Sequence, residues 1–111
     1  MQKVNEQDFD YRNGASGVKY LIRGPRIDWG VILLLPGEKL GGHFHNQVEE
    51  TFYVLEGRGQ FIVNGVEYAA EPGDAFRMEP QDRHDMRNSG REPFKVVFIK
   101  CPYLPKDKEA I

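Results

Sequence analysis

The chain has 111 residues, of which 40% are hydrophobic and 29% charged, with 12 glycines, 7 prolines and a net charge of −2. This length and composition predict one globular domain built around a single core. The small net charge gives no electrostatic reason to expect a nucleic-acid or membrane partner. No apolar run approaches the length of a membrane span, and the many glycines and prolines favour short strands joined by turns.

Cysteine usage predicts a reducing compartment. Cys101 is the only cysteine, so the chain cannot form an internal disulfide, and the cytoplasm is the default location. The polar residues 1–8 do not resemble a signal peptide. Because Cys101 ends an apolar run, we expect it to be a packed small hydrophobic residue rather than a nucleophile.

In chain order, we predict an N-terminal segment (residues 1–17), a strand-rich domain (18–103) and a polar C-terminal tail (104–111). Short runs of β-branched and aromatic residues, bounded by turn residues, predict seven strands: 18–23, 29–35, 51–55, 60–63, 66–69, 75–78 and 94–100. Asn64-Gly65 predicts a type I′ hairpin turn, and residues 79–85 are predicted to be irregular. Many short strands and no long helical period indicate an all-β sandwich or small barrel.

The segment 37–57 carries the strongest chemical pattern. His43 and His45 lie two residues apart, which places both imidazoles on one face of a strand. Glu49 and Glu50 follow at the start of an apolar run, and imidazole and carboxylate side chains that converge suit a divalent transition metal. We expect folding to bring back the remaining histidine, His84.

A pair of histidines in this spacing is often only a surface feature. Two observations argue against that interpretation here. Gly41-Gly42 directly before the pair favours a bend and a close backbone approach rather than a strand interior. A carboxylate at the start of an apolar strand is costly to bury unless it is neutralised.

The spacing also resembles a known family motif. The chain resembles the first motif of the cupin family without a gap. The matching series is Gly37, five residues, His43-Phe-His45, four residues, Glu50, six residues and Gly57.

The second cupin motif is recognisable with one departure. Gly73 is followed eleven positions later by His84, and four positions after that by Asn88. Glu79 and Gln81 stand where the family usually has proline and glycine, with Pro80 displaced by one position. The departure bears on the loop before His84 and leaves the spacing of the histidine intact.

The resemblance implies a double-stranded β-helix (jelly-roll) barrel with a metal inside, held by His43, His45, Glu50 and His84. Distance from His45 alone admits either Glu49 or Glu50, and the six-residue spacing to Gly57 selects Glu50. Strand parity agrees, since it places Glu50, Phe52 and Val54 together on the inner face.

Three neutral imidazoles and one carboxylate balance only part of the charge of a divalent ion and leave coordination positions open. Mn²⁺, Fe²⁺, Co²⁺, Ni²⁺ and Zn²⁺ all accept such a ligand set, whereas Ca²⁺ prefers oxygen donors. The ligand list does not choose among the transition metals.

Arginine side chains are the candidate substrate contacts. Arg77 precedes His84 by one strand and could offer its guanidinium to a carboxylate or phosphate, as could Arg23 and Arg87. Each of these arginines is more often only a solvated surface charge. No residue is assigned a catalytic role by the sequence.

The outward face of the strand over 51–55 would carry Tyr53 and Leu55. An apolar outer surface of this kind tends to be covered, either by a second copy in a homodimer or by the N-terminal strand of the same chain. We expect the homodimer.

Three functions remain open at this point, because a fold does not specify a reaction. The first is a metal-dependent enzyme acting on a polar oxyacid or sugar-like small molecule, of the isomerase, epimerase, lyase or decarboxylase type. The second is a metal-dependent dioxygenase. The third is a non-catalytic barrel that binds a small ligand. The ligand set favours catalysis, since structural zinc sites are usually closed and rich in thiolates.

Overall fold

The computed structural model describes residues 1–111. A 3-10 turn at Glu6–Asp8 is its helical element, and no helix is long and apolar enough to cross a membrane. The ten strands are, in chain order, β1 (Gly17–Arg23), β2 (Asp28–Leu34), β3 (His43–Phe44), β4 (Glu49–Glu56), β5 (Gly59–Val63), β6 (Val66–Ala70), β7 (Ala75–Met78), β8 (His84–Arg87), β9 (Phe94–Cys101) and β10 (Glu109–Ala110).

The strands form two antiparallel sheets of five, in the orders β1-β2-β9-β4-β7 and β10-β3-β8-β5-β6. All seven predicted strands are present, and their ends differ from the prediction by at most two residues. Asn64 and Gly65 have φ values of 49° and 84°, the positive values that the predicted type I′ turn requires. The all-β prediction is confirmed.

The structure adds β8 to the predicted strands. The prediction of irregular structure over 79–85 is wrong at its end, because β8 begins at His84. His84 and Met86 are buried, while Asp85 and Arg87 are more exposed. The burial of its side chains therefore alternates regularly. Because Met86 is its only apolar residue, no apolar run marks this strand in the sequence.

The C-terminal tail contributes the other added strand. β10 pairs antiparallel with β3, with Ala110 opposite His43 and Glu109 opposite Phe44. The last residues of the chain thus form an edge of the second sheet. The division into segments at residues 17 and 104 stays a prediction.

The two sheets pack face to face through aromatic side chains. Phe52 of β4 and Phe61 of β5, one from each sheet, are fully buried with ring centroids 5.0 Å apart. The predicted parity of β4 is confirmed, since Glu50, Phe52 and Val54 are all buried. The Phe52 ring also lies 6.0 Å from that of His84. The hydrophobic core therefore directly supports the end of the barrel where the histidines lie.

The outer face of β4 is exposed, as parity predicts. Tyr53 and Leu55 are 47% and 44% exposed. The N-terminal segment does not cover them, because Glu6 lies instead against Lys95 of β9, with Nζ and Oε2 3.0 Å apart, and accepts a hydrogen bond from Lys19 of β1.

The prediction that Cys101 is packed is wrong, because the residue is exposed. Buried Phe94, Val96 and Phe98 alternate along β9, and Cys101 falls on the opposite, outward parity. The hydrophobic character of the run before Cys101 does not by itself indicate on which face of the sheet the cysteine lies.

Candidate metal centre

The two sheets bring the four predicted ligands to one point. His43 and His84 are directly paired residues of β3 and β8. His45 follows β3 closely, and Glu50 is the second residue of β4 in the opposite sheet. All four side chains are buried, with exposures between 2% and 4%. The cluster therefore spans the interior between the sheets.

A single carboxylate oxygen lies at the centre of the cluster. Glu50 Oε1 is 3.1 Å from His45 Nε2, 3.3 Å from His84 Nε2 and 3.7 Å from His43 Nε2. One candidate ligand atom from each of the four residues lies within 4.8 Å of the others.

The outer nitrogen of each imidazole faces a backbone carbonyl. The acceptors are Gly41 at 3.0 Å for His43, Asp82 at 2.9 Å for His84, and Asp107 for His45. A carbonyl only accepts hydrogen bonds, so each Nδ1 carries the proton, and in a neutral ring the Nε2 lone pair faces inwards. The ring orientations and tautomers are thus set by the backbone, as is usual for histidines that ligate metals.

Opposing effects act on the Glu50 carboxyl. Burial alone would raise its pKa, but the Nε2 atoms of His43, His45 and His84 hold the pKa well below its usual range. Those of His45 and His84 lie within hydrogen-bond distance. The ionised carboxylate thus accepts protons from Nε2 atoms, and a divalent ion could replace those protons, because neutral rings would turn their Nε2 lone pairs towards it.

The donor set fits a divalent transition metal. Three imidazole nitrogens and one carboxylate oxygen are ligands that Mn²⁺, Fe²⁺, Co²⁺, Ni²⁺ and Zn²⁺ share. The thiol of Cys101 is exposed at the end of β9 and is not part of the cluster. The cluster can therefore hold such an ion, and the residues present do not distinguish its identity.

Asp107 is a supporting residue that the sequence did not indicate. Its carboxylate accepts hydrogen bonds from the backbone N–H groups of Asn46, Gln47 and Val48, at 2.9, 2.8 and 3.0 Å. Partial burial would raise its pKa, but these bonds lower it below the ordinary value. Through its carbonyl and its carboxylate, Asp107 holds both His45 and the loop that leads to Glu50.

Glu49 and Arg77 lie on the outside of the barrel. Arg77 pairs across the sheet with outward Thr51. Its side chain is 64% exposed, and its Nε lies 2.8 Å from Glu79 and 4.0 Å from Glu49. The structure thus does not bring Arg77 to the histidine cluster. Arg87 is also exposed, at the end of β8.

Arg23, in contrast, reaches a cavity of about 180 Å³ that opens beside His45. Its guanidinium forms two hydrogen bonds, both 3.0 Å long, with the buried carboxylate of Asp28. It also stacks 3.8 Å above the ring of Tyr20, which lines the same cavity.

Three further cations line this cavity: Arg12, Lys100 and Lys108. The same three residues line a narrower space against His43 and Glu50. Lys108 is exposed overall, as is Arg12, but partial desolvation of its ammonium, followed by the charges of Lys100 and Arg12, lowers its pKa. Lys100 continues the inward parity of Phe98, a signal in the sequence that could have identified it; Arg12 and Lys108 carry no such signal.

Known proteins share this fold and parts of this sequence. CurC, a polyketide synthase protein of Streptomyces cyaneus, is 32% identical over 77 residues, which are 69% of this chain and 50% of CurC. The tetracenomycin polyketide synthase protein TcmJ of Streptomyces glaucescens is 35% identical over 77 residues, 69% of this chain and 52% of TcmJ. The chain thus spans about half the length of these curated relatives.

A crystal structure of an uncharacterised conserved protein with a double-stranded β-helix domain, from Klebsiella pneumoniae, superposes with a TM-score of 0.86 at 20% identity. The match covers 99% of this chain and 96% of that one, and it confirms the predicted double-stranded β-helix. The family model described as "Cupin domain" matches residues 30–100, which include all four clustered residues. The chain belongs to the cupin family.

Proposed function

We propose that His43, His45, Glu50 and His84 bind one divalent transition-metal ion. The protein is then a metal-dependent enzyme that acts on a small polar oxyacid or sugar-like substrate. The observation that carries this proposal is the convergence of three Nε2 atoms and one carboxylate oxygen next to a cavity lined by cations and a tyrosine hydroxyl.

A divalent ion held by these four residues would supply Lewis-acid polarisation of a carbonyl oxygen. The surrounding chain supplies position and shape. Tyr20 Oη accepts a hydrogen bond from Lys100 Nζ at 2.9 Å, which leaves the phenolic proton free to be donated to a ligand in the cavity. The aromatic core packs beneath His84 on the inner side of the cluster, where all four side chains are buried.

Isomerisation, epimerisation, lyase chemistry and decarboxylation all agree with this arrangement, because each is assisted by polarising a carbonyl group. The two polyketide synthase relatives support the same chemistry in a general way, since polyketide chains carry repeated carbonyl groups.

The test is a screen in D₂O. Metal-loaded protein is incubated with a panel of hydroxy acids, keto acids and sugar acids, and NMR reads deuterium incorporation and product formation. We expect at least one compound to react with the parent and none to react with His84→Ala. A fully loaded parent that binds panel members but turns over none would contradict the enzyme and favour the ligand-binding barrel.

The dioxygenase is the second candidate, because a cluster with open coordination positions can also bind dioxygen. An oxygen electrode separates the two candidates. Oxygen uptake by the iron(II)-loaded protein with an oxyacid or aromatic acid would support the dioxygenase, and turnover without oxygen uptake would exclude it.

We also propose that the protein forms a homodimer through the exposed outer face that includes Tyr53, Leu55 and Ile99. A surface of this kind is commonly covered by a partner. The cytoplasmic location and the absence of a nucleic-acid partner stay predictions from composition.

A further inference from the structure

Three cationic side chains converge beside the candidate metal centre without a carboxylate partner. Arg12, Lys100 and Lys108 line both the cavity beside His45 and the narrow space against Glu50. None of the three forms an ion pair. Other cations of the chain do so: Arg23, Arg58, Arg77 and Lys95. Like charges held together repel, so this cluster costs stability that a bound anion would restore.

The two acids that pair with Lys100 across the sheet already have partners. Lys100 lies opposite Glu50 of β4 on one side and Asp28 of β2 on the other. Arg23 binds both oxygens of Asp28, and Glu50 faces the three imidazoles. The ammonium of Lys100 instead donates to the neutral hydroxyl of Tyr20. Its charge therefore remains available to a ligand.

The charge and size of the cavity select the class of ligand. Four cations and three acids line the two spaces, and a divalent ion would add two more positive charges, in a chain with a net charge of −2. The cavity therefore favours an anion, although the protein as a whole carries a negative net charge. The volume of about 180 Å³ lies below the range of roughly 300–1,000 Å³ typical of pockets for drug-sized ligands. A cavity of this size and charge suits a small acid rather than a nucleotide or an oligosaccharide.

We propose that Arg12, Lys100 and Lys108 form an anion subsite that binds the oxyanion, carboxylate or phosphate, of a small ligand whose other end lies at the metal centre. The position of that other end rests on the proposed function, while the oxyanion contacts require no metal. Arg12 presents a planar fork that can bind two oxygens at once, and the lysines add point charges. The three residues come from the N-terminal segment, β9 and the C-terminal tail, so a bound anion also links the two ends of the chain.

The test compares variants in their binding of two probes, malonate and inorganic phosphate, by isothermal titration calorimetry at fixed ionic strength. The variants are Lys108→Met, the double variant Lys100→Met/Lys108→Met, and the control Lys106→Met. Lys106, like Lys108, is an exposed lysine of the tail, but it lines neither space. Each protein is measured metal-loaded and metal-free, with its metal content determined by elemental analysis.

We expect the parent and Lys106→Met to bind one or both anions equally well. The double variant should bind at least about tenfold more weakly, because it loses charge-assisted hydrogen bonds, while its metal content stays unchanged. The probe that binds more tightly identifies carboxylate or phosphate as the preferred oxyanion.

Equal affinities in all variants, or no binding of either anion at millimolar concentration, would overturn the subsite. Its failure is distinguishable from failure of the metal centre. Suppose that the parent contains no metal but binds an anion, and that the double variant binds this anion more weakly. That result would refute the metal site and support the anion subsite.

Discussion

The imidazole of His45 donates a hydrogen bond from Nδ1 to the backbone carbonyl of Asp107, 62 residues further along the chain. The carboxylate of the same aspartate holds the backbone of Asn46, Gln47 and Val48. A residue in the C-terminal tail thus fixes the orientation of one candidate ligand and the conformation of the loop behind it. The tail is part of the site.

Asp107→Ala should weaken metal binding without removing it. The variant keeps the backbone carbonyl that faces His45 but loses the three hydrogen bonds to the loop, and changes in such supporting contacts typically cost about 10–100-fold in metal affinity. Competition with a metallochromic chelator measures the affinity. Asp74→Ala is the matched control, since Asp74 accepts one backbone hydrogen bond in an exposed turn at Glu71. Equal affinities for both variants would show that Asp107 does not position the site.

Gly57→Ala should destabilise the protein far more than Gly41→Ala. Both glycines have positive φ, +79° and +111°, so alanine strains either backbone by about 1–3 kcal/mol. At Gly57 a Cβ would also lie 2.0 Å from the carbonyl oxygen of Pro93, whereas nothing lies within 4 Å at Gly41. We expect Gly57→Ala to cost more than about 4 kcal/mol in free energy of unfolding. Urea unfolding monitored by circular dichroism measures the free energy of unfolding of both variants. Similar losses in Gly57→Ala and Gly41→Ala would show that the close approach to Pro93 is unimportant.

Lys108 gives the protein a specific pH dependence. Its pKa in the folded chain is lowered from 10.5 by burial and by the charges of Lys100 and Arg12, against the attraction of Glu50. Between the lowered pKa and 10.5, the unfolded chain binds more protons than the folded chain. The contribution of Lys108 to the free energy of unfolding therefore rises with pH through that window.

Lys108→Met should accordingly be slightly more stable than the parent at pH 7, because solvent screens the charges around this exposed side chain, and the difference should shrink as the pH approaches 10.5. Urea titrations at several pH values measure it, with Lys106→Met as the control for the loss of one surface charge. A Lys108→Met variant that is less stable at pH 7, or a difference that does not change with pH, would argue against crowded cations at the cavity.

Leu55→Glu should convert the proposed dimer into a monomer. The charge would lie on the outer face that includes Tyr53 and Ile99, where desolvation opposes its burial in an interface. Light scattering coupled to size-exclusion chromatography should give twice the chain mass of 12.8 kDa for the parent and 12.8 kDa for the variant. Val66→Glu, on the exposed hairpin strand β6 of the other sheet, should remain dimeric. A monomeric parent at high concentration would refute the dimer.

Much of the fold and the centre of the site could be predicted because their signals are local. The two-residue period places His43 with His45 and separates Glu50 from Glu49. Apolar runs and the Asn64-Gly65 turn identify most strands. His84 required the family spacing, since it lies in a strand of polar appearance.

The supporting residues depend on the three-dimensional arrangement of distant segments. No local pattern indicates that Asp107 reaches the loop after His45, or that Arg12 and Lys108 meet at one cavity. Arg77 differs in this respect. Phe76 and Met78 face inwards on β7, so parity alone would have placed Arg77 outside. Its proximity to His84 in the sequence was a weaker guide than the alternation of its own strand.

The metal content of Glu50→Gln, compared with that of Glu49→Gln, shows whether the buried carboxylate is a metal ligand. Both substitutions replace a carboxylate by an amide of the same size, at neighbouring positions. Glu50 is buried among three histidines, whereas Glu49 is half-exposed on the outer face. Each protein is purified without a metal-affinity column, reloaded with each transition metal in turn and measured by elemental analysis. We predict about one metal per chain in the parent and in Glu49→Gln, and little or none in Glu50→Gln. No bound metal in the parent under any loading condition would show that the cluster is not a metal site, and equal metal content in the two variants would show that Glu50 is not a ligand.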